Sequence, residues 1–262
     1  MLYSYEWKKV FNPGDAEDFF QNNPSRDFEP QSTHFSKTNA WWLSEFSRLI
    51  YARGQEGADE TVVRNHFLHR LGLKERWFFN GRYLQCAIIT VSSNQTAPFS
   101  VLVFRGTAGT ITNWLYNLNV TLSPWPSGGK VHTGFKQLFL EAWEEIEKHI
   151  RALNEPVYYT GHSLGGAFAV LCASLHPPHA VYTFGAPRIG NEEFLRSVRK
   201  VSVYRVANRK DIVTTIPPIP QMLHVGESLY LDNSGNQPTD RSWFSAPEFL
   251  AAHSPANYSV QL

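Results

Sequence analysis

A chain of 262 residues with 24 basic and 23 acidic side chains has no charge excess with which to hold a nucleic acid or an anionic membrane surface. Charged residues make up 18% and aromatics 14%, so the length suffices for a substantial core without disulfide staples. No apolar run is long enough to span a membrane, and no leader of basic then apolar residues opens the chain, which leaves its compartment undecided.

In chain order, residues 1–37 are polar and broken by Pro13, Gly14, Pro24 and Pro30, the composition of a segment that wraps a surface as loops and a short helix. From Thr38 the spacing of Trp42, Phe46, Leu49 and Ile50 is helical, and Val63, Phe67 and Leu71 repeat it. Strand-like runs follow at Tyr83–Val91 and Phe99–Phe104, the second ending in Arg105-Gly106-Thr107. Phe135, Leu138, Phe139, Ala142, Ile146, Ile150 and Leu153 fall on one face of a long helix that Pro156 stops. Next come a strand into Ser163, a helix after it, a strand at Val181–Phe184, a helix near Glu192–Val198, and strands at Val201–Val206 and Glu227–Leu231. With neither repeats nor a low-complexity linker, residues 1–262 read as one α/β domain, a mostly parallel sheet covered by helices on both faces. In such sheets function gathers at the carboxyl ends of the strands, where Ser163, Thr107, Gly185 and the segment after Val206 all fall. Cys86 and Cys172 read as small buried hydrophobes.

Gly161-His162-Ser163-Leu164-Gly165 is a G-x-S-x-G pattern, weak alone but strengthened by the strand before it and the small-residue helix after it. A serine hydroxyl at neutral pH needs a base within hydrogen-bond reach, and that base needs an anionic orienter. On this strand–turn–helix plan the order is serine, acid, histidine. His253, in a loop after the last strand, is the first candidate base and His224 the second; His176 and His179 flank Pro177-Pro178 at the far side of the sheet. Asp211 stands just beyond a strand end, whereas Asp232 and Asp240 lie in a Gly/Asn/Pro-rich stretch where aspartate is more often a turn residue. The N–H of Leu164, at a helix N-terminus, and Thr107, after the Phe99–Phe104 strand, are the expected oxyanion donors.

These residues bring the chain to a resemblance with the class 3 lipases, which include the filamentous-fungal triacylglycerol lipases. The shared blocks are Phe104-Arg105-Gly106-Thr107, Val131-His132-Thr133-Gly134-Phe135, and Thr160 through Ala167; then Thr183 through Asn191, Asp211 through Pro218, and His253. They occur in the family's order across residues 80–258. The resemblance implies an α/β-hydrolase fold and a triad of Ser163, Asp211 and His253, with Thr107 and Leu164 forming the oxyanion hole. It also implies a helical lid near residues 108–126, with Trp114, Leu115, Leu118 and Leu122 on one face over an acyl groove. Two cysteines cannot supply the disulfides that fungal relatives usually carry.

The expected chemistry is hydrolysis of carboxylic esters, chiefly triacylglycerols, by a monomer at an oil–water interface, without metal or organic cofactor. The alternatives are a phospholipase A1 or a feruloyl-type or short-chain esterase on the same mechanism. A peptidase, or a hydrolase-fold protein that binds without catalysis, rank behind these.

Overall fold

Uninterrupted apolar runs suit strands covered on both faces, and the computed structural model puts them in that position. The structure describes residues 3–21, 27–54, 57–92, 97–106, 121–231 and 245–262. Among these, seven strands share one sheet in the order β1 (Leu73–Asn80), β2 (Gln85–Val91), β3 (Ser100–Phe104), β6 (Val157–His162), β7 (Ala180–Phe184), β8 (Val203–Asn208) and β9 (Glu227–Leu231). The first three run antiparallel, and β3 onward are parallel. A separate antiparallel ribbon joins β4 (Leu122–Pro124) to β5 (Lys130–His132).

The sheet divides the core into two. Val101 and Val103 of β3 face helix α2 (Lys37–Leu49) with its Leu43, Phe46 and Leu49. Leu102 and Phe104 face the opposite way, toward Phe168 and Leu171 of α6 (Leu164–Leu175). Helices α4 (Thr133–Leu140) and α5 (Trp143–Ile150) pack on that second side, and α7 (Glu192–Val198) joins them through Phe194 and Val198. At the first edge, α3 (Glu60–Leu68) adjoins β1; its Arg64 and Glu75 of β1, both fully buried, pair at 2.5 Å. Three shorter helices, α1 (Trp7–Phe11), α8 (Glu248–Ala251) and α9 (Pro255–Val260), bring the two ends of the chain together. Among the described residues no helix is long and apolar enough to cross a membrane.

Helix α2 shows how a buried helix keeps its polar residues. Ser36 Oγ accepts the Asn39 N–H at 3.1 Å and caps its first turn. Arg48 pairs with Glu45 at 2.8 Å and with Asp18 at 2.7 Å, so the two buried charges of the helix enter the core already compensated.

Three features differ from the sequence-based expectation. The long helix is two helices, α4 and α5, interrupted at Glu141 and Ala142. Its apolar stripe passes through the break, since Phe135, Phe139, Ala142, Ile146 and Ile150 are all buried, so periodicity alone carries no mark of the interruption. Strand β1 was not anticipated; it begins immediately after Gly72, whose φ of 68° turns the chain out of the preceding helical segment. The N-terminal segment wraps less superficially than its polarity suggests, for Tyr3, Tyr5, Val10, Phe19, Phe20 and Phe28 are buried.

Candidate active site

Strands β3, β6, β7 and β8 are parallel, so their carboxyl ends reach one edge of the sheet. Ser163 lies there, between β6 and α6. Its backbone sits at φ 58°, ψ −129°, a conformation that costs a non-glycine residue on the order of 1–3 kcal/mol. The surrounding hydrogen bonds hold it: the Ser163 N–H donates to the Phe184 carbonyl at 2.9 Å, and the Ser163 carbonyl accepts from the Gly166 N–H at 3.0 Å. The turn is tight enough that a Cβ on Gly161 would lie 2.3 Å from the Gly165 carbonyl carbon, and one on Gly165 2.2 Å from the Phe104 carbonyl oxygen. Both glycines of the motif are therefore required by close approach. Leu164 is the first residue of α6, so its N–H belongs to the first-turn donors for which a helix has no internal acceptor.

Asp211 follows β8 by three residues and caps the 3-10 turn Ile212–Thr215. One carboxylate oxygen, Oδ1, accepts the Val213 N–H at 2.9 Å; the other, Oδ2, accepts the Tyr258 hydroxyl at 2.6 Å. Nδ1 of His253 lies 2.9 and 2.8 Å from these two oxygens. Tyr258 in turn accepts the Asn208 N–H at 3.0 Å. Asp211 and His253 are both 1% exposed, so this pair is desolvated as well as aligned. Gly185, just past β7, packs against it: a Cβ there would stand 2.6 Å from Asp211 Oδ2 and 3.1 Å from His253 Nδ1, and its φ of 62° is a glycine conformation.

A carboxylate only accepts, so Nδ1 of His253 carries a proton and, in the neutral ring, Nε2 carries the lone pair. Nε2 is buried and without a hydrogen-bond partner; no bond joins it to Ser163 Oγ among the described residues. A general base in a substrate-free site is commonly this loosely placed and closes on the nucleophile when substrate binds.

His253 occupies the turn between α8 and α9, and the N-terminal segment braces that turn. The Asn257 side chain accepts the Ser4 N–H at 2.8 Å and donates to the carbonyls of Ser4 at 2.7 Å and Ala251 at 2.8 Å. Tyr3, Tyr5 and Val10 pack with Ala246, Leu250 and Ala251.

The second candidate base, His224, is engaged elsewhere. It donates from Nε2 to the Thr214 carbonyl at 2.7 Å, behind the turn that Asp211 caps, and burial, reinforced by nearby Arg205, lowers its pKa to about 4. His179 donates its N–H to the Val157 carbonyl at the start of β6, the opposite end of the sheet, and His176 meets the Tyr159 hydroxyl at 2.9 Å. Thr107, Trp114, Leu115, Leu118, Asp232 and Asp240 lie outside the described residues. Leu122 is half-buried in β4, opposite His132, rather than on a helical face. Trp125 is buried and donates to Ser174 Oγ at 2.7 Å, so the end of the expected lid segment is a ribbon anchored on the core. Three residues of the site escaped the sequence reading: Tyr258, Tyr51 and His162. Their contacts span 47 to 111 residues, and only His162 stood inside a recognised motif.

A parallel sheet with a strained serine at the carboxyl end of a central strand, and an Asp–His pair beside it, defines an α/β-hydrolase. Comparison with known proteins agrees. The model of the family "Lipase (class 3)" matches residues 101–221. The fungal lipase of a lipase–inhibitor complex is 30% identical with a TM-score of 0.52, the match covering 62% of this chain and 68% of that one. The chain belongs to the class 3 lipase family. The lipase of Rhizopus microsporus var. chinensis shares the fold with a TM-score of 0.63 over 95% of this chain and 98% of its own, at 19% identity. Among curated relatives, the secreted mono- and diacylglycerol lipase 1 of Fusarium solani is 35% identical over 49% of this chain and 42% of its own length. The chloroplastic phospholipase A(1) DAD1 of Arabidopsis thaliana is 34% identical over 45% and 34%. The chain thus spans less than half the length of these curated relatives.

Proposed function

We propose that the chain hydrolyses carboxylic esters, with acylglycerols as its substrates, through an acyl-enzyme on Ser163. The observation that carries this reading is the buried His253–Asp211 pair, with Nε2 left unpaired, at the sheet edge where Ser163 is held in its strained turn. In the proposed reaction Ser163 Oγ attacks the ester carbonyl while His253 Nε2 takes the hydroxyl proton. Asp211 orients the ring and stabilises the imidazolium. The N–H of Leu164, with Thr107 as the second donor, holds the oxyanion. As the tetrahedral intermediate collapses, His253 gives its proton to the departing alcohol. Water, activated by the same histidine, then releases the fatty acid. Membership of the class 3 lipase family supports the acylglycerol assignment, and so does the likeness to a mono- and diacylglycerol lipase.

The test is hydrolysis of triacylglycerols from short to long chain, below and above their solubility limits, with Ser163→Ala alongside. The expected outcome is a rate that rises when an interface forms and drops by at least ~10³-fold in the variant. Undiminished activity of Ser163→Ala would refute the mechanism. Smooth saturation on dissolved short esters alone would restrict the substrates to those of an esterase. The likeness to a phospholipase A(1) favours one second reading, which preferential release of the sn-1 acyl chain from phosphatidylcholine would establish.

A further inference from the structure

Tyr51, two residues past α2, and His162, the last residue of β6, are both buried and take no part in the proton transfers above. Nε2 of His162 lies 2.6 Å from the His253 carbonyl oxygen, and its Nδ1 lies 3.1 Å from the Tyr51 hydroxyl. A carbonyl only accepts, so Nε2 is the protonated nitrogen of the neutral ring, and Nδ1 must accept from Tyr51. Burial, together with the adjacent His253, holds the His162 pKa well below the usual histidine value and keeps the ring in that neutral form. The Tyr51 oxygen also packs against the Gly106 backbone, closely enough that a Cβ there would fall 2.3 Å from it. The donors therefore point one way: Tyr51 O–H to His162 Nδ1, and His162 Nε2–H to the His253 carbonyl. Chains aligned in this sense strengthen one another in a low-dielectric interior.

The ends of this chain are what give it consequence. Gly106 belongs to the loop after β3 and immediately precedes Thr107; His162 immediately precedes Ser163; His253 is the base. We propose that Tyr51 and His162 are positioning residues, a buried spine that sets the base, the nucleophile turn and the oxyanion loop relative to one another. Its fit is close. A Cβ on Gly106 would fall 2.3 Å from the Tyr51 hydroxyl oxygen, 2.7 Å from the His162 carbonyl oxygen and 3.2 Å from Ser163 Cβ. The ring centroids of His162 and His253 are 4.5 Å apart. The Arg105 guanidinium lies 5.2 Å over the Tyr51 ring, and its NH1 donates to Gln85 Oε1 at 2.6 Å, so the phenol is held from outside the chain as well. Because Nε2 of His253 makes no bond of its own, its place relative to Ser163 rests on Asp211 at Nδ1 and on the His253 backbone, which His162 holds.

The spine rests on the assignment of Ser163 and His253, and the experiment separates the two. Each protein is titrated with a fluorophosphonate that labels the active serine, and kcat and KM are then measured per labelled site on a dissolved short-chain ester. Tyr51→Phe and His162→Ala are expected to lower kcat per site by ~10-fold or more, with KM within ~2-fold, because misplacement by a fraction of an ångström acts on the reacting geometry. His162→Gln keeps a donor toward the His253 carbonyl and an acceptor for Tyr51, and is expected to recover to within ~3-fold of wild type. Wild-type kcat per labelled site in Tyr51→Phe, or no advantage of Gln over Ala at position 162, overturns the spine. Tyr51→Phe preserves the ring and its packing, so it decides the matter if His162→Ala does not fold. Labelling of Ser163→Ala as fast as wild type would instead defeat the underlying assignment.

Discussion

Tyr258 shows how much one buried hydroxyl supports. It donates to Asp211 and accepts from the Asn208 backbone, so it ties the acid to the strand end that presents it. Tyr258→Phe keeps the ring, removes the Asn208 N–H acceptor and leaves Asp211 Oδ2 to His253 alone; we expect a loss of ~1–2 kcal/mol in stability and a fall of ~3–10-fold in kcat, read by urea denaturation and ester kinetics. An unchanged kcat would mean that Val213 and His253 suffice to hold the carboxylate. Gly185→Ala tests the opposite flank. Its Cβ would press on Asp211 Oδ2 from a positive-φ position, costing ~1–3 kcal/mol, and activity per folded molecule should drop by at least ~10-fold; full activity in a purified variant would contradict the contact. The serine was legible because the motif is local. Asp211 and His253 were legible as candidates from chain order and strand ends. Tyr258, by contrast, lies 47 residues from Asp211, a contact that no spacing rule announces.

At the scale of elements, the segment that holds the proposed base, His253, calls for a separate test. The Asn257 side chain makes three hydrogen bonds, two to Ser4 and one to Ala251, and the residue is 1% exposed. Asn257→Ala would leave buried backbone groups at both chain segments unpaired, and a destabilisation of ~2–4 kcal/mol is expected from urea melts. A midpoint within error of wild type would show that the clasp is dispensable. The polar composition of residues 1–37 hid this role, since Tyr3 and Tyr5 reach the core through a stretch with no helical or strand periodicity. Strands buried on both faces were the easiest elements to read, because β7 is an unbroken apolar or β-branched run, β3 is one after Ser100, and in β8 only Arg205 and Asn208 interrupt it. The gap between α4 and α5 was illegible for the reason already seen: the same stripe continues through it.

Over the whole molecule, buried histidines set an acid limit on stability. Burial lowers the pKa of His132 and of His224 to about 4, and that of His162 well below its usual value. In the unfolded chain each titrates near ~6.5, so between roughly pH 6.5 and 4 the unfolded state binds protons that the folded state refuses. Stability should therefore fall as pH drops through that window and be insensitive to these groups above it. Thermal midpoints at pH 7.5, 6.5, 5.5 and 4.5 check this; a flat profile would mean the rings are more accessible than their surroundings indicate. The Ser4–Asn257 clasp has one more consequence, and it concerns biosynthesis. A ribosome extends the chain by 253 residues between the two partners, and domains close only when their distant segments are available. Every strand of the sheet and the serine turn precede His253 in the chain. A chain interrupted in translation between β9 and His253 would hold every strand of the sheet and the serine turn but lack the proposed base, and is expected to be released without the proposed esterase activity.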